Sequence, residues 1–280
     1  MNHLTIDIRL PLEIDASCGT KATTLVELKK LGLPIPDFCA VPSSCFESFC
    51  QVVEIQSPEL FYANSEFDSE VNKKFTHTEM LNMDDIIRKI GDGKYMVRSS
   101  SVPTKDVDLK NFPSMISGAF ESYFASSVFE IVNNIPNVWR SVFLEKAYNQ
   151  CRIFSEFPII KGIGVLIQRY VEPVISGVAH TKGDMVSVNW IDGHLSKIVS
   201  GESLGNSIDV YILTEQNYIL RGIENDILLV KNNSYENVFK SLWGNVTSIR
   251  QYFGCDQEVE WVYDGEKVWI VQSQALIAQK

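Results

Sequence analysis

At 280 residues, with 45% hydrophobic and 11% aromatic content, the chain can bury a sizeable core, as one large domain or two lobes rather than a small module. A net charge of −10, a pI near 5.0 and no basic run exclude a surface that holds nucleic acid by its phosphate backbone. No signal-peptide pattern and no apolar run of membrane-spanning length are present, so neither a secreted nor a membrane protein is expected.

The six cysteines (Cys18, Cys39, Cys45, Cys50, Cys151, Cys255) form no CxxC and no His-paired metal spacing. They read as reduced thiols, mostly buried, of a cytoplasmic protein. Residues 17–42, SCGTKATTLVELKKLGLPIPDFCAVP, open a helix at Gly19-Thr20-Lys21, with apolar positions Ala22, Leu25, Leu28 and Leu31 and a stop at Gly32 and Pro34. A small-residue turn, a lysine and a helix N-terminus together suit an anion. A capped surface helix with a solvated lysine would read the same. The GxxxxGK[ST] phosphate loop is absent.

Helical or irregular segments follow around Phe46–Val53, Glu66–Phe75 and Met83–Ile90, with no evident chemistry. Tyr95-Met96-Val97 reads as a buried strand that Arg98 and three serines end, which leaves a guanidinium fork for a phosphate. Residues 102–113 read as a loop, followed by Gly118 and Glu121-Ser122-Tyr123. Helical spacing covers Val128–Val132 and, after Pro136, Trp139, Val142, Phe143, Ala147 and Cys151. Gly164–Val171 is an apolar strand that Glu172-Pro173 breaks. Strands at Ser176–Val178 and Met185–Trp190, a turn at Ile198–Glu202, a mixed region over 208–222 and a helix over Tyr235–Phe253 complete an α+β pattern.

The chain ends in QEVEWVYDGEKVWIVQSQAL. Glu258, Glu260 and Val262 alternate with Val259, Trp261 and Tyr263, and Val268–Val271 is the return strand. Glu260 and Gln272 are oxygen donors of the kind Mg²⁺ takes, although an ordinary solvated hairpin face has the same composition. Register separates the two readings. A two-residue Asp264-Gly265 turn, which local turn chemistry favours, sets Glu260 opposite Trp269 and turns Gln272 to the other face. A longer loop centred on Glu266 sets Glu260 opposite Gln272.

Five stretches in this order resemble the nucleotide-binding domain of the phosphoenolpyruvate synthase and pyruvate phosphate dikinase family. They are GTKATTLVEL…GLPIP, VRSSSVPTKD, MISGAFESYF, IQRYVEPVISGVAHT and EVEWVYDGEKVWIVQSQAL, spanning about residues 15–277. The resemblance implies a two-lobed ATP-grasp fold with an ATP cleft between the lobes, here an N-terminal lobe over 1–168 and a C-terminal lobe over 169–280. It implies ATP and Mg²⁺ as cofactors. Lys21 and Arg98 would serve the phosphates catalytically, and Glu121 and Ser122 would line the phosphate end. Gln168, Tyr170 and Val171 would form the adenine hinge, and Glu260 and Gln272 would hold the metal.

The chain departs from the family pattern at several of these places. Thr20 and Thr24 replace a glycine and an asparagine, and Asp106 is the nearest acid to a missing acidic pair. Gln274 stands in the ATP site where the family has arginine, Ala275 replaces a proline, and His180 replaces an aromatic residue. NWIDGHLSKIVSGES is closer to relatives that phosphorylate amino-acid amides, such as glutamine kinase. None of His3, His77, His180 and His194 lies in the family's phosphohistidine motif. The expected protein is therefore an ATP-dependent phosphotransferase that works with a histidine-bearing partner protein or a missing domain, as in split relatives such as phenylphosphate synthase, or acts on a small acceptor. The alternatives are a catalytically impaired nucleotide-binding or regulatory module and a structural partner subunit.

Overall fold

The computed structural model describes residues 2–52, 78–81, 88–103, 118–152, 160–183, 185–194, 206–214, 217–222 and 235–276. The expected helix over 66–75, most of that over 83–90, Asp106 with its loop, the turn at 198–202 and His77 lie outside the described residues.

In chain order the elements are β1 (Asn2–Thr5), α1 (Thr20–Lys30), β2 (Phe38–Val41), α2 (Ser43–Val52), β3 (Thr78–Leu81), β4 (Tyr95–Pro103), β5 (Ser122–Ala125), α3 (Val128–Arg140), α4 (Glu145–Arg152) and β6 (Ile160–Arg169). Then come β7 (Ile175–Lys182), β8 (Met185–Asp192), β9 (Asn206–Thr214), β10 (Asn217–Gly222), α5 (Glu236–Phe253), β11 (Gln257–Tyr263) and β12 (Val268–Ala275). The class is α+β. The chain divides into two compact units, residues 1–26 with 37–170, and residues 27–36 with 171–280.

The first unit is built on an antiparallel sheet in the order β2-β6-β4-β5, beside a parallel β1–β3 pair. Phe46 and Phe49 of α2 meet Trp139 of α3 at ring-centroid distances of 6.1 and 5.1 Å. Buried aromatic faces of this size supply most of a core's stabilisation. Ser127 caps α3, accepting from the Glu130 N–H at 3.2 Å, while the Glu130 carboxylate accepts from the Ser126 N–H at 2.7 Å. The apolar pattern on either side of Pro136 is shared out: α3 runs through the proline as far as Arg140, Val142 and Phe143 lie in a 3-10 turn over Ser141–Phe143, and Ala147 and Cys151 lie in α4. Pro136 lies inside α3 and is buried with Ile135, Val138 and Trp139. The backbone bond that the proline forfeits is offset by the apolar face it helps to bury.

The expected strand end at Arg98 is corrected. β4 runs on through Ser99, Ser100 and Ser101, all buried, as far as Pro103. These serines pair with Val165, Gly164 and Ile163 of β6, so they sit in a ladder where small side chains fit. The helix expected from Gly19 is α1. Ala22, Leu25 and Leu28 are fully buried, whereas Leu31 lies past the helix end and is 40% exposed.

The second unit is a six-stranded antiparallel sheet, β10-β9-β8-β7-β11-β12. One face is apolar. Val186, Val188, Val259 and Trp261 are buried there, with Val238, Phe239, Leu242, Val246 and Ile249 of α5 at helical spacing. Phe239 stands edge-on to Trp190 at 4.9 Å and to Trp261 at 6.4 Å. A Cβ on Gly177 would lie 2.1 Å from the Asn189 carbonyl oxygen and 3.0 Å from the Trp261 ring. Glycine is what lets β7 pass under the indole. Among the described residues no helix is long and apolar enough to cross a membrane.

Candidate functional site

In the first unit, the start of α1 is set by contacts distant in sequence. Gly19 has φ +85°, and a Cβ there would lie 2.1 Å from the Ser100 carbonyl oxygen. The Ser100 hydroxyl takes the capping role that glycine cannot, accepting from the Ala22 N–H at 3.2 Å. Lys21 is thereby fixed in the first turn. Arg98 lies opposite Leu166 on one side and Ser122 on the other, and its Nη1 donates to the Gln168 side chain at 3.4 Å. Arg98, Ser122 and Gln168 are therefore neighbours across β5, β4 and β6. Gln168 is buried, Ser122 is exposed, and Glu121 precedes β5 with its carboxylate 4.0 Å from Lys146.

Tyr170 follows β6. Its N–H donates to the Lys94 carbonyl at 2.9 Å, and its ring meets Phe124 edge-on at 5.1 Å. An adenine contact at Tyr170 would therefore use its ring or its carbonyl. Val171 begins the second unit's longer segment. Arg169, just before, clamps the loop ahead of β4. It donates to the carbonyls of Ile90 at 3.2 Å and Asp92 at 3.3 Å and to the Tyr95 hydroxyl at 2.8 Å.

In the second unit, the closing hairpin does not use a two-residue Asp264-Gly265 turn. Residues 264–267 form its loop, and Tyr263 pairs with Val268. The Asp264 side chain is the reason: Oδ1 accepts from the N–H groups of Glu266 and Lys267, both at 2.8 Å, and Oδ2 accepts from the Trp269 indole at 2.7 Å. Burial draws this carboxyl upward, but the bonds from Trp269, Lys267 and Glu266 outweigh it and hold it below the ordinary aspartate range. The four-residue loop alone would set Glu260 opposite Val271. A β-bulge between the Trp261–Ile270 and Glu260–Gln272 pairs adds one residue on β12, so Glu260 pairs with Gln272 and Glu258 with Gln274. The register that a shared ion needs is thus reached through a bulge.

The second sheet's face away from α5 carries two adjacent polar rows. One runs Ser187, His180, Glu258, Gln274 across β8, β7, β11 and β12; the other runs Asn189, Val178, Glu260, Gln272. In the first row, His180 Nε2 lies 3.0 Å from one Glu258 oxygen, and the Gln274 amide donates to the other at 2.5 Å. The His180 bond, against the effect of burial and with help from Gln274, holds the Glu258 carboxyl below its ordinary range. In the second row a carboxylate and a buried amide are opposed, an oxygen-donor set that fits Mg²⁺. Among the described residues no group of three or more His, Cys, Asp or Glu is placed to hold a metal.

The described cysteines form no disulfide. Burial pushes the Cys39 and Cys50 thiols up to about 12, and Cys18, Cys45 and Cys255 are free. The Cys151 side chain lies outside the described residues.

The Glu258–His180 bond and the bulge could not be read from the sequence. Alternation along β7 puts His180 on the polar face, but its neighbour in the sheet lies 78 residues away.

The described residues form a two-unit α+β protein, with a lysine at a helix start in the first unit and opposed oxygen donors on a sheet face in the second. Residues 15–241 match the family described as pyruvate phosphate dikinase, AMP/ATP-binding domain, and the chain belongs to that family. No curated protein matches it. Among solved structures it is similar to D-alanine–D-alanine ligase from Bacillus anthracis, at 10% identity and TM-score 0.41, covering 93% of this chain and 57% of that one. For the ligase from Coxiella burnetii the values are 10%, 0.37, 92% and 48%. For C-terminally truncated Cdc123 from Schizosaccharomyces pombe they are 9%, 0.42, 91% and 82%. The chain spans about half the length of the two ligases.

Proposed function

We propose that this chain is the Mg²⁺-dependent ATP-binding part of a cytoplasmic phosphotransferase, which passes phosphate to a histidine of a partner protein or domain, or to a small acceptor. Family membership supports nucleotide binding. The observation that carries the magnesium part is the Glu260–Gln272 pair, two oxygen donors opposed on one face by the bulge in β12. Phosphoryl transfer depends on placing charge around phosphates, and the proposed roles follow from that. Lys21 and Arg98 neutralise phosphate oxygens, and Glu121, Ser122 and Gln274 line their surroundings. Gln168, Tyr170 and Val171 receive the base, and Glu260 and Gln272 hold the ion.

Calorimetry with ATP, with and without Mg²⁺, on the wild type and Glu260→Ala tests this reading. The wild type should bind ATP more tightly with Mg²⁺, and the variant should lose about 10–100-fold of that metal-dependent gain. Absence of Mg·ATP binding by the wild type would sink the proposal.

A second reading, a nucleotide-binding module without turnover, is favoured by Gln274. Its neutral amide is bonded to Glu258 at 2.5 Å, at the position where the family resemblance calls for a cation. Mg·ATP binding with neither ADP nor AMP formed in the presence of a histidine-bearing partner would support this reading over the first.

A further inference from the structure

The polar face of the second sheet carries two carboxylates on adjacent rows, Glu258 and Glu260, where a polyphosphate would meet repulsion unless a cation intervened. Along this face Lys267 is engaged over the Trp269 ring at 3.6 Å, and Lys182 lies exposed at the end of β7. His180 stands level with the carboxylates. Its Nε2 is held by Glu258 at 3.0 Å, and Glu258 is its only partner among the described residues, so Nδ1 remains for another group. The side chain is 35% exposed and that of Glu258 28%, so the pair is sheltered without being sealed. Gln274 holds the second Glu258 oxygen at 2.5 Å, which fixes the carboxylate and, through it, the plane of the imidazole.

From this arrangement we infer that His180 is a phosphate-contacting residue, oriented by Glu258, whose Nδ1 donates to an anionic oxygen of the nucleotide's polyphosphate. The inference rests on the nucleotide-binding reading above and adds to it a residue and the part of the ligand it touches. With the Glu258 carboxylate at one nitrogen and a phosphate oxygen at the other, the ring would bridge two anionic groups, donating to each. It would turn an acidic row into one that accepts a polyphosphate. Glu258 is a positioning residue in this scheme.

Two measurements test it. Nitrogen-15 spectra of the wild-type histidine side chains, recorded while inorganic tripolyphosphate is added, should show the His180 Nδ1 resonance moving and saturating while His194 stays in place. In parallel, His180→Ala, with its fold checked by circular dichroism, should weaken Mg·ATP and Mg·ADP about ten-fold. Adenosine should stay within about two-fold on the same scale, and His180→Arg should recover most of the loss. An unmoved Nδ1 resonance, or an equal loss for adenosine and ATP, overturns the inference. If the wild type binds no nucleotide, the proposed function fails, while the tripolyphosphate titration still decides whether His180 meets phosphate. If the wild type binds Mg·ATP and His180→Ala binds it equally well, only the inference fails.

Discussion

Gly19 and Ser100 join in one contact that fixes where α1 begins. The glycine holds φ +85° with no room for a Cβ against the Ser100 backbone, and the serine hydroxyl takes the Ala22 N–H. Gly19→Ala should therefore destabilise the fold by about 3 kcal/mol or more in urea unfolding, through steric overlap added to backbone strain. Ser100→Ala, which removes only the cap, should cost about 1 kcal/mol. Equal losses for the two would mean that Gly19 is not sterically required. Asp264 permits a pH test at the same scale. Its folded-state carboxyl lies below the ordinary value of 3.8, so its stabilisation is fully present above that value and is lost as pH falls through the lower folded one. The stability gap between the wild type and Asp264→Ala should be constant from neutral pH down to about 5 and close under stronger acid. A gap that widened on acidification would contradict the assignment.

Among the elements, β6 is tied at its end by a side chain. The Arg169 guanidinium bonds the carbonyls of Ile90 and Asp92 and stacks 5.0 Å from the centre of the Tyr95 ring, whose hydroxyl it also meets. The Tyr95 hydroxyl in turn donates to the Ile90 carbonyl. Arg169→Met keeps the length of the stem and removes the donors. A loss of about 2–3 kcal/mol is expected, with faster amide exchange confined to residues 90–95 and 170. Loss of protection spread through the whole β4–β6 ladder would instead mean that the arginine supports the sheet at large. In the closing hairpin the bulge in β12 has the comparable role. It turns Gln272 and Gln274 to the face of Glu260 and Glu258, whereas an even alternation from Ile270 would send both amides toward α5.

For the whole molecule, ligand linkage gives the expected size of the response. A nucleotide that binds only the folded chain raises its stability by about 2.7 kcal/mol at a hundred times its Kd. A thermal-shift series with Mg·ATP should follow that logarithmic rise and flatten for Glu260→Ala. A shift of the same size without added Mg²⁺ would separate nucleotide binding from the Glu260–Gln272 pair.

Much of this was legible in the amino-acid order. The alternation of Val259 and Trp261 with Glu258 and Glu260, the spacing Ala22-Leu25-Leu28 and the helix of residues 236–253 are local patterns, because a side chain's face follows from the period of its own strand or helix. Tertiary structure decided which elements became neighbours. It carried β4 through its serines because β6 covers them, and it set Gln272 opposite Glu260 through a bulge that turn chemistry does not encode. It also brought His180 to Glu258 across 78 residues of chain. Strand partnership depends on burial and pairing summed over the whole sheet, and no local window of residues contains that sum.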